Sequence, residues 1–363
     1  MKVLIVRLSS IGDVIQGIPC LVALKESFRD WEISWLVEEA SAPVLRGHPC
    51  LASLFVVRRR WRRHTALPVA PGSGEHGSGL WATWQGLKQQ HFDIAIDLQG
   101  LLKSGIWTWL SGAPRRIGHN RTREFAHLFL NEYAGDRPVF DPSFPLVERY
   151  LEPAKFLGAD IRRARYLLPP SSAETVSHVD RLLSTDTATG KRGNRPTVAL
   201  CPWSAWPSKN WPMEPWRAVA KELCADHRVV LIGTGADLPD ASRLCAEIPD
   251  LVNLTGKTSL PDLVEVFRRC QLAIGPDSGP LHLANATAVP RVIIMFGSTS
   301  WRRSGPFGTG HRTISTELPC QPCFARVCPL GHLKCQHSIT PDEVLRTIRE
   351  VTRAGECSTF VPR

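Results

Sequence analysis

The stretch Met1–Pro19 reads MKVLIVRLSSIGDVIQGIP. Its run Val3-Leu4-Ile5-Val6 is mostly β-branched and lacks polar alternation, the pattern of a strand buried on both faces of a parallel sheet. The chain then tightens through Ser9, Ser10 and Gly12, and from Val14 and Ile15 apolar residues recur at helical spacing. Strand, loop and helix are therefore predicted in that order, with Asp13 set where the helix begins. A carboxylate there complements the helix dipole, or serves as a base if the loop faces a ligand. The stretch alone leaves both readings open.

Working outward, the same alternation continues. A helix is expected over 16–28, a strand over Trp31–Val37, a short helix over Ala42–Arg46 and a strand over Leu54–Val57. Trp81–Gln90 reads as a helix, and Phe92–Leu98 (FDIAIDL) as a strand running out into Gln99-Gly100-Leu101, with Lys103 opening another helical segment. The polar run 184–194 breaks the pattern, and alternation resumes with strands at 197–200, 229–232, 272–274 and 292–296. Strands alternating with helices predict an α/β fold of two Rossmann-like domains. The divisions expected are 1–170, a linker at 171–195, a second domain at 196–340, and a terminal helix and tail at 341–363, with Thr340 as cap and Pro341 at the first helical position. Two such halves facing each other imply a cleft lined by strand-end loops.

At 363 residues, 43% hydrophobic and 21% charged, the composition is that of a globular protein. No apolar run approaches the roughly 20 residues of a membrane-spanning helix, and no signal-peptide pattern follows Lys2, so a cytoplasmic protein is expected. The net charge of +10 either serves solubility or marks an anionic partner. Arg58, Arg59, Arg60, Arg62 and Arg63 surround Trp61, and arginine suits bidentate phosphate and carboxylate recognition. The neighbouring aromatics are too few for a nucleic-acid stacking platform, so no nucleic acid is expected as partner. A nicotinamide cofactor is disfavoured because the strand-end glycines do not match the dinucleotide fingerprint: Gly233 and Gly235 lack the third glycine, and Gly12 and Gly17 are spaced wrongly; no GxxxxGK[ST] loop is present.

Four strand-end loops carry the chemistry: Ser9–Asp13, Cys201–Pro212 with Ser204 and Lys209, Gly233–Asp237, and Gly275–Leu283 (GPDSGPLHL). The last places Asp277, Ser278 and Gly279 directly before a helix, where free backbone N–H groups face an anion. Lys209 adds a point charge, and together these residues predict a diphosphate site. Asp277 and His282 also admit a plain reading as a helix cap and a helix-surface histidine.

Ser10-Ile11-Gly12-Asp13, Lys209-Asn210-Trp211-Pro212 and Asp277-Ser278-Gly279-Pro280-Leu281-His282, in that order, resemble the motifs of the family 9 glycosyltransferases, the ADP-heptose:lipopolysaccharide heptosyltransferases. Leu36–Glu39, the arginine run, Ile96–Ser104 and Thr122–Glu124 are most similar to the heptosyltransferase I group, which adds the first heptose to Kdo of the lipid A–Kdo core. The resemblance implies a GT-B architecture, with acceptor on the first domain, ADP-heptose on the second, and a last helix returning to the first domain. It implies Asp13 as the general base of an inverting transfer, with Lys209 beside it in catalysis. Ser204, Lys209, Thr258, Asp277, Ser278, Gly279 and His282 are the donor residues it implies. Ser10, Gly12, Arg59, Arg60, Arg62, Arg63, Lys103 and Arg123 are those of the acceptor. No cofactor is required by it, and the protein is placed at the cytoplasmic face of the inner membrane as a peripheral enzyme.

The chain departs from the family at Ala205, Pro239 and Pro145, where a donor threonine, a ribose-binding acid and an acceptor-side histidine are expected. It also carries a cluster, Cys320, Cys323, Cys328 and Cys335, with His332 and His337 nearby. Four thiols so close in sequence suit a structural zinc or iron site, or remain free thiols in a reducing compartment.

Overall fold

The computed structural model describes residues 1–58, 75–76, 79–184, 195–289 and 291–356. The chain divides into two units, Met1–Pro170 and Ser171–Arg363.

In the first unit the elements are β1 (Lys2–Val6), α1 (Ile11–Ser27), β2 (Glu32–Glu38), β3 (Ser53–Val57), β4 (Glu75–His76), α2 (Leu80–Gln90), β5 (Ile94–Asp97), α3 (Leu102–Leu110), β6 (Arg115–His119), β7 (Glu132–Ala134) and α4 (Leu146–Phe156). The strands form one sheet in the order β4-β3-β2-β1-β5-β6-β7, every pair parallel. Val3, Leu4, Ile5 and Val6 are fully buried, as a central strand requires. On one face Leu4, Val6, Leu36, Phe55 and Ala95 pack with Leu87 of α2 and Trp107 of α3. Helix α1 packs against α4. It begins at Ile11, five residues earlier than expected, because Gly12 and Gly17 weaken the sequence signal, although Gly17 serves packing. A Cβ at Gly17 would stand 3.0 Å from the Trp35 ring, so the glycine lets the helix lie close on β2.

The second unit comprises α5 (Ala173–Ser184), β8 (Thr197–Leu200), α6 (Met213–Asp226), β9 (Arg228–Leu231), α7 (Leu238–Glu247), β10 (Val252–Asn253), α8 (Leu260–Arg268), β11 (Leu272–Pro276), α9 (Gly279–Ala286), β12 (Arg291–Phe296), α10 (Trp301–Ser304), β13 (Arg312–Ser315), α11 (Lys334–His337) and α12 (Pro341–Glu356). Its sheet runs β10-β9-β8-β11-β12-β13, again all parallel. Helix α5, in the stretch read as linker, packs on α8. The last helix gives its apolar stripe, Val344, Ile348 and Val351, to this unit's own core with Trp216, Leu223 and Met295. Among the described residues no helix is long and apolar enough to cross a membrane.

Candidate active site

In the first sheet β1 stands between β2 and β5, and in the second β8 stands between β9 and β11. These are the points where strand order reverses and where open parallel sheets bind ligands, outside the carboxyl ends. The loops after β1 and β5, and those after β8 and β11, carry the predicted residues.

In the first unit, Arg7 and Leu8 prolong β1, and Leu8 N donates to Gln99 Oε1 at 2.9 Å. Asp13 Oδ2 accepts from Ser10 N at 3.1 Å and Ser10 Oγ at 2.7 Å, and stands 2.8 Å from Arg7 Nη2. The carboxylate therefore caps helix α1 and is also anchored by a buried cation. Burial works against the Arg7 charge, but Asp13 beside it leaves the guanidinium held above its ordinary range. Arg7 also donates to Leu98 O at 3.4 Å and lies over the Tyr150 ring. Gly12 is buried in the first turn of α1.

Lys103 Nζ reaches Ser9 Oγ and Glu38 Oε1, both at 2.8 Å, so this expected acceptor cation is paired within its own unit. It is presented by a turn built on Asp97, which accepts from Gln99 N, Gly100 N and Ser104 Oγ. Burial pushes the Asp97 carboxyl upward despite those three donors. Arg123 N donates to Gly100 O at 3.0 Å, which ties the Arg123 loop to the same turn, and its guanidinium lies over Phe140. Arg58 pairs with Glu39. Arg59, Arg60, Arg62 and Arg63 lie outside the described residues.

In the second unit the centre is Asp277, at the end of β11 and almost wholly buried. Its Oδ2 accepts from Lys209 Nζ at 2.8 Å and Thr299 Oγ1 at 2.7 Å, and Oδ1 meets His282 Nε2 at 3.0 Å. Burial alone would raise this carboxyl, but the hydrogen bond from His282 and the Lys209 charge outweigh it and hold the group well below the usual carboxylate range. Lys209 also donates to Asp277 O at 3.1 Å and lies over the Trp206 ring. Ser278 is the N-cap of α9, and its buried Oγ makes no hydrogen bond among the described residues. It therefore stands as a free polar group beside the exposed-end N–H groups from Gly279 onward. Ser204 is tied into its own loop, with its N on Asn210 Oδ1 at 2.8 Å. Thr258 is half-buried in the loop before α8. Neither is hydrogen-bonded to Lys209 or Asp277. Thr299, at the end of β12, carried no sequence signal beyond its place in Gly297-Ser298-Thr299-Ser300 after an apolar strand.

The cysteine-rich segment braces the Lys209 loop. Ser208 N donates to Arg326 O, Ser208 Oγ bonds Ser298 Oγ and Ala325 O, and Gln336 Nε2 reaches Ser208 O at 3.3 Å. Cys320, Cys323, Cys328 and Cys335 are free thiols bordering one cavity of about 20 Å³, room for roughly one water. Among the described residues no group of three or more His, Cys, Asp or Glu side chains is placed to hold a metal ion. The expected zinc or iron site is not supported. Backbone N–H groups from Leu333, Leu330, His332 and Gly331 pull Cys328 downward in pKa, whereas burial and the neighbouring Cys323, Cys320 and Cys328 thiols push Cys335 upward; Cys323 is exposed, and the Cys335 sulfur packs beside Gly297.

The sequence and the architecture match known proteins. The model of glycosyltransferase family 9 (heptosyltransferase) matches residues 80–334. Lipopolysaccharide heptosyltransferase 1 of Pseudomonas aeruginosa is 28% identical over 90% of this chain and 87% of its own length. Lipooligosaccharide heptosyltransferase 2 of Haemophilus influenzae is 26% identical over 88% of this chain and 90% of its own. The structure of Escherichia coli heptosyltransferase WaaC with ADP superposes with a TM-score of 0.70 at 23% identity, over 97% of this chain and all (100%) of that one. The fold is GT-B and the protein is a glycosyltransferase. Within that class, the chain belongs to glycosyltransferase family 9, the heptosyltransferases.

Proposed function

We propose that this enzyme moves L-glycero-D-manno-heptose from ADP-heptose to Kdo of the lipid A–Kdo inner core of lipopolysaccharide, with inversion at the anomeric carbon. The observation that carries the reading is the placement of Asp13 at the switch point of the first sheet, fixed by Arg7 and Ser10. In this reading Asp13 takes the proton of the Kdo hydroxyl as it attacks. The heptose becomes oxocarbenium-like while ADP departs as an already good leaving group, so no second carboxylate is needed to protonate it, unlike the glycosidase pair.

The developing diphosphate charge needs positive potential placed beforehand. Lys209, the Ser278 hydroxyl and the N–H groups from Gly279 supply it, with Ser204 and Thr258 completing the donor side. Asp277 and His282 keep Lys209 fixed, so that donor diphosphate meets a positioned ammonium and not a mobile one. Ser10, Gly12, Lys103, Arg123 and the arginines 59, 60, 62 and 63 are assigned to the anionic acceptor. Domain roles follow: residues 1–170 for acceptor, 196–340 for donor, acting at the cytoplasmic face of the inner membrane.

Relatives that carry heptosyltransferase 1 and 2 names are nearly equally identical to this chain, which makes acceptor choice the point to test. Purified enzyme is given ADP-heptose with Kdo2-lipid A as sole acceptor, then with a core that already bears one heptose. Transfer to the first supports the proposal. Transfer to the second alone assigns the enzyme to the next step of the core.

A further inference from the structure

Helix α3 exposes much of its apolar surface. Its fully buried residues are Ser104, Gly105 and Thr108, two of them hydroxyl residues that satisfy themselves locally through Asp97 and the Ser104 carbonyl, and only Trp107 packs from it against the apolar core. Its outer side carries Leu102, Ile106 and Trp109, at positions i, i+4 and i+7, exposed by 41, 36 and 55%. A water-facing helix carries the opposite pattern. Gly105 then allows the short helical turn Ala126–Phe129 to approach so closely that a Cβ would stand 3.0 Å from the Phe129 ring. That turn extends the same apolar surface: the Trp109 and Phe129 rings are 6.4 Å apart, and Phe125 and Leu128 are about 70% exposed. Phe125 holds φ = 60°, a left-handed conformation costly for a bulky residue, and its ring gains no burial in return.

The ground around this patch is basic. Between Gln99 and Leu130 stand Lys103, Arg115, Arg116, Arg121 and Arg123 against the single acid Glu124; Lys103 and Arg115 are paired with Glu38 and Glu132, which leaves three arginines less one acid, or +2. Exposed Trp, Phe, Leu and Ile rimmed by Arg116, Arg121 and Arg123 match the interface of an anionic bilayer, where aromatic rings settle among headgroups and the cations meet lipid phosphates. Contiguous apolar exposure of this kind marks a contact surface. The placement also suits the reaction, because α3 begins at the Asp97 turn beside Lys103 and runs outward for about 13 Å.

We propose that the outer face of α3 and the 125–129 turn dock this enzyme on an anionic membrane surface. The proposal rests on the reading of a lipid-anchored acceptor, and its test is independent of transfer. Full-length protein is co-sedimented, without substrates, with vesicles of phosphatidylethanolamine and phosphatidylglycerol, and with vesicles of phosphatidylcholine. Binding is expected on the anionic vesicles, weakening as salt rises. The triple substitution Ile106→Gln, Trp109→Gln and Leu128→Gln should lower partitioning at least tenfold at unchanged melting temperature. Val327→Gln with Leu330→Gln, equally exposed apolar residues of the second unit, should leave it unchanged. Should the triple variant fail to fold, Trp109→Gln and Leu128→Gln alone should each lower partitioning severalfold.

Equal binding of wild type and variants overturns the proposal, as does equal binding to both vesicle types. A concentration-dependent dimer that the triple variant abolishes, without vesicle binding, overturns it in favour of a second copy on this face. Transfer to a deacylated, soluble acceptor by the triple variant at the wild-type rate separates docking from chemistry. Loss of that transfer in wild type would count against the acceptor reading and leave the vesicle result standing.

Discussion

Arg7 Nη2 lies 2.8 Å from Asp13 Oδ2, and the arginine is the buried partner, its side chain 8% exposed against 25% for the aspartate. The pair joins the end of β1 to the first turn of α1 across the loop that holds Ser9 and Ser10. Removing the aspartate leaves a guanidinium committed to Leu98 O and the Tyr150 ring without its counter-charge. The carboxylate is thus both a helix cap and the group assigned as base, and the two roles separate experimentally.

Asp13→Asn keeps the shape and loses the charge. Transfer should fall by about 10²–10⁴-fold, the usual worth of a general base, while calorimetric affinity for ADP-heptose stays within twofold. Stability should drop by about 1–2 kcal/mol, less than for a fully buried pair because Asp13 is partly solvated. Near-normal turnover in this variant would sink the assignment of Asp13.

Lys209→Ala separates the donor side. Asp277 keeps Thr299 and His282, so the fold should survive while the charge aimed at diphosphate is gone. Loss of a charge-assisted contact is worth about 1.5–3 kcal/mol, so donor affinity should weaken tenfold to a hundredfold by calorimetry, with the rate falling as well. Unchanged donor affinity would leave Lys209 as a purely structural partner of Asp277.

Much of this was readable from the chain. The β-branched run Val3–Val6 and the Ser/Gly loop after it announce a buried strand and a turn, because backbone preference and burial act locally there. The Lys209 and Asp277 loops announce themselves through Ser, Gly and Lys at strand ends. What distant partners decide was not readable. Arg7 looks like any strand-end cation until Asp13 and Leu98 close on it. Thr299 reaches Asp277 only because β12 lies beside β11. Lys103 reads as a free cation, although Glu38, 65 positions earlier, neutralises it. Strands β6 and β7 escaped notice because Arg115-Arg116 and a three-residue edge strand lack apolar periodicity. The cysteine spacing suits a metal, but each thiol's orientation depends on the loop that carries it.

His48 makes the first unit acid-sensitive. Its Nε2 donates to Leu167 O at 2.8 Å and its Nδ1 accepts from Cys50 N at 3.1 Å, an arrangement only the neutral ring satisfies. Burial pushes its pKa down to about 4, below the ordinary value of about 6.5. Between those values the unfolded chain binds the extra proton, so stability is complete above pH 6.5 and is lost as pH falls toward 4. The full effect is on the order of 3 kcal/mol. In urea titrations the advantage of wild type over His48→Gln should be present at pH 7 and largely gone at pH 4. A gap that stays constant across that range would show that the ring is not held neutral.

Gln336 tests whether the cysteine-rich segment serves donor binding or only folding. Its side chain is fully buried, and its Nε2 reaches Ser208 O, the residue before Lys209. Gln336→Leu retains most of the volume and removes that donor, a hydrogen bond worth about 0.5–1.5 kcal/mol. Slackening of the Ser208–Lys209 turn should raise the KM for ADP-heptose about three- to tenfold, with kcat and the affinity for acceptor little changed. A fall in melting temperature with no movement of the donor KM would mean that the segment stabilises the second unit without positioning Lys209. A matching change in Ser208→Ala, which removes the hydroxyl bonded to Ser298 and Ala325, would trace the effect to the same turn.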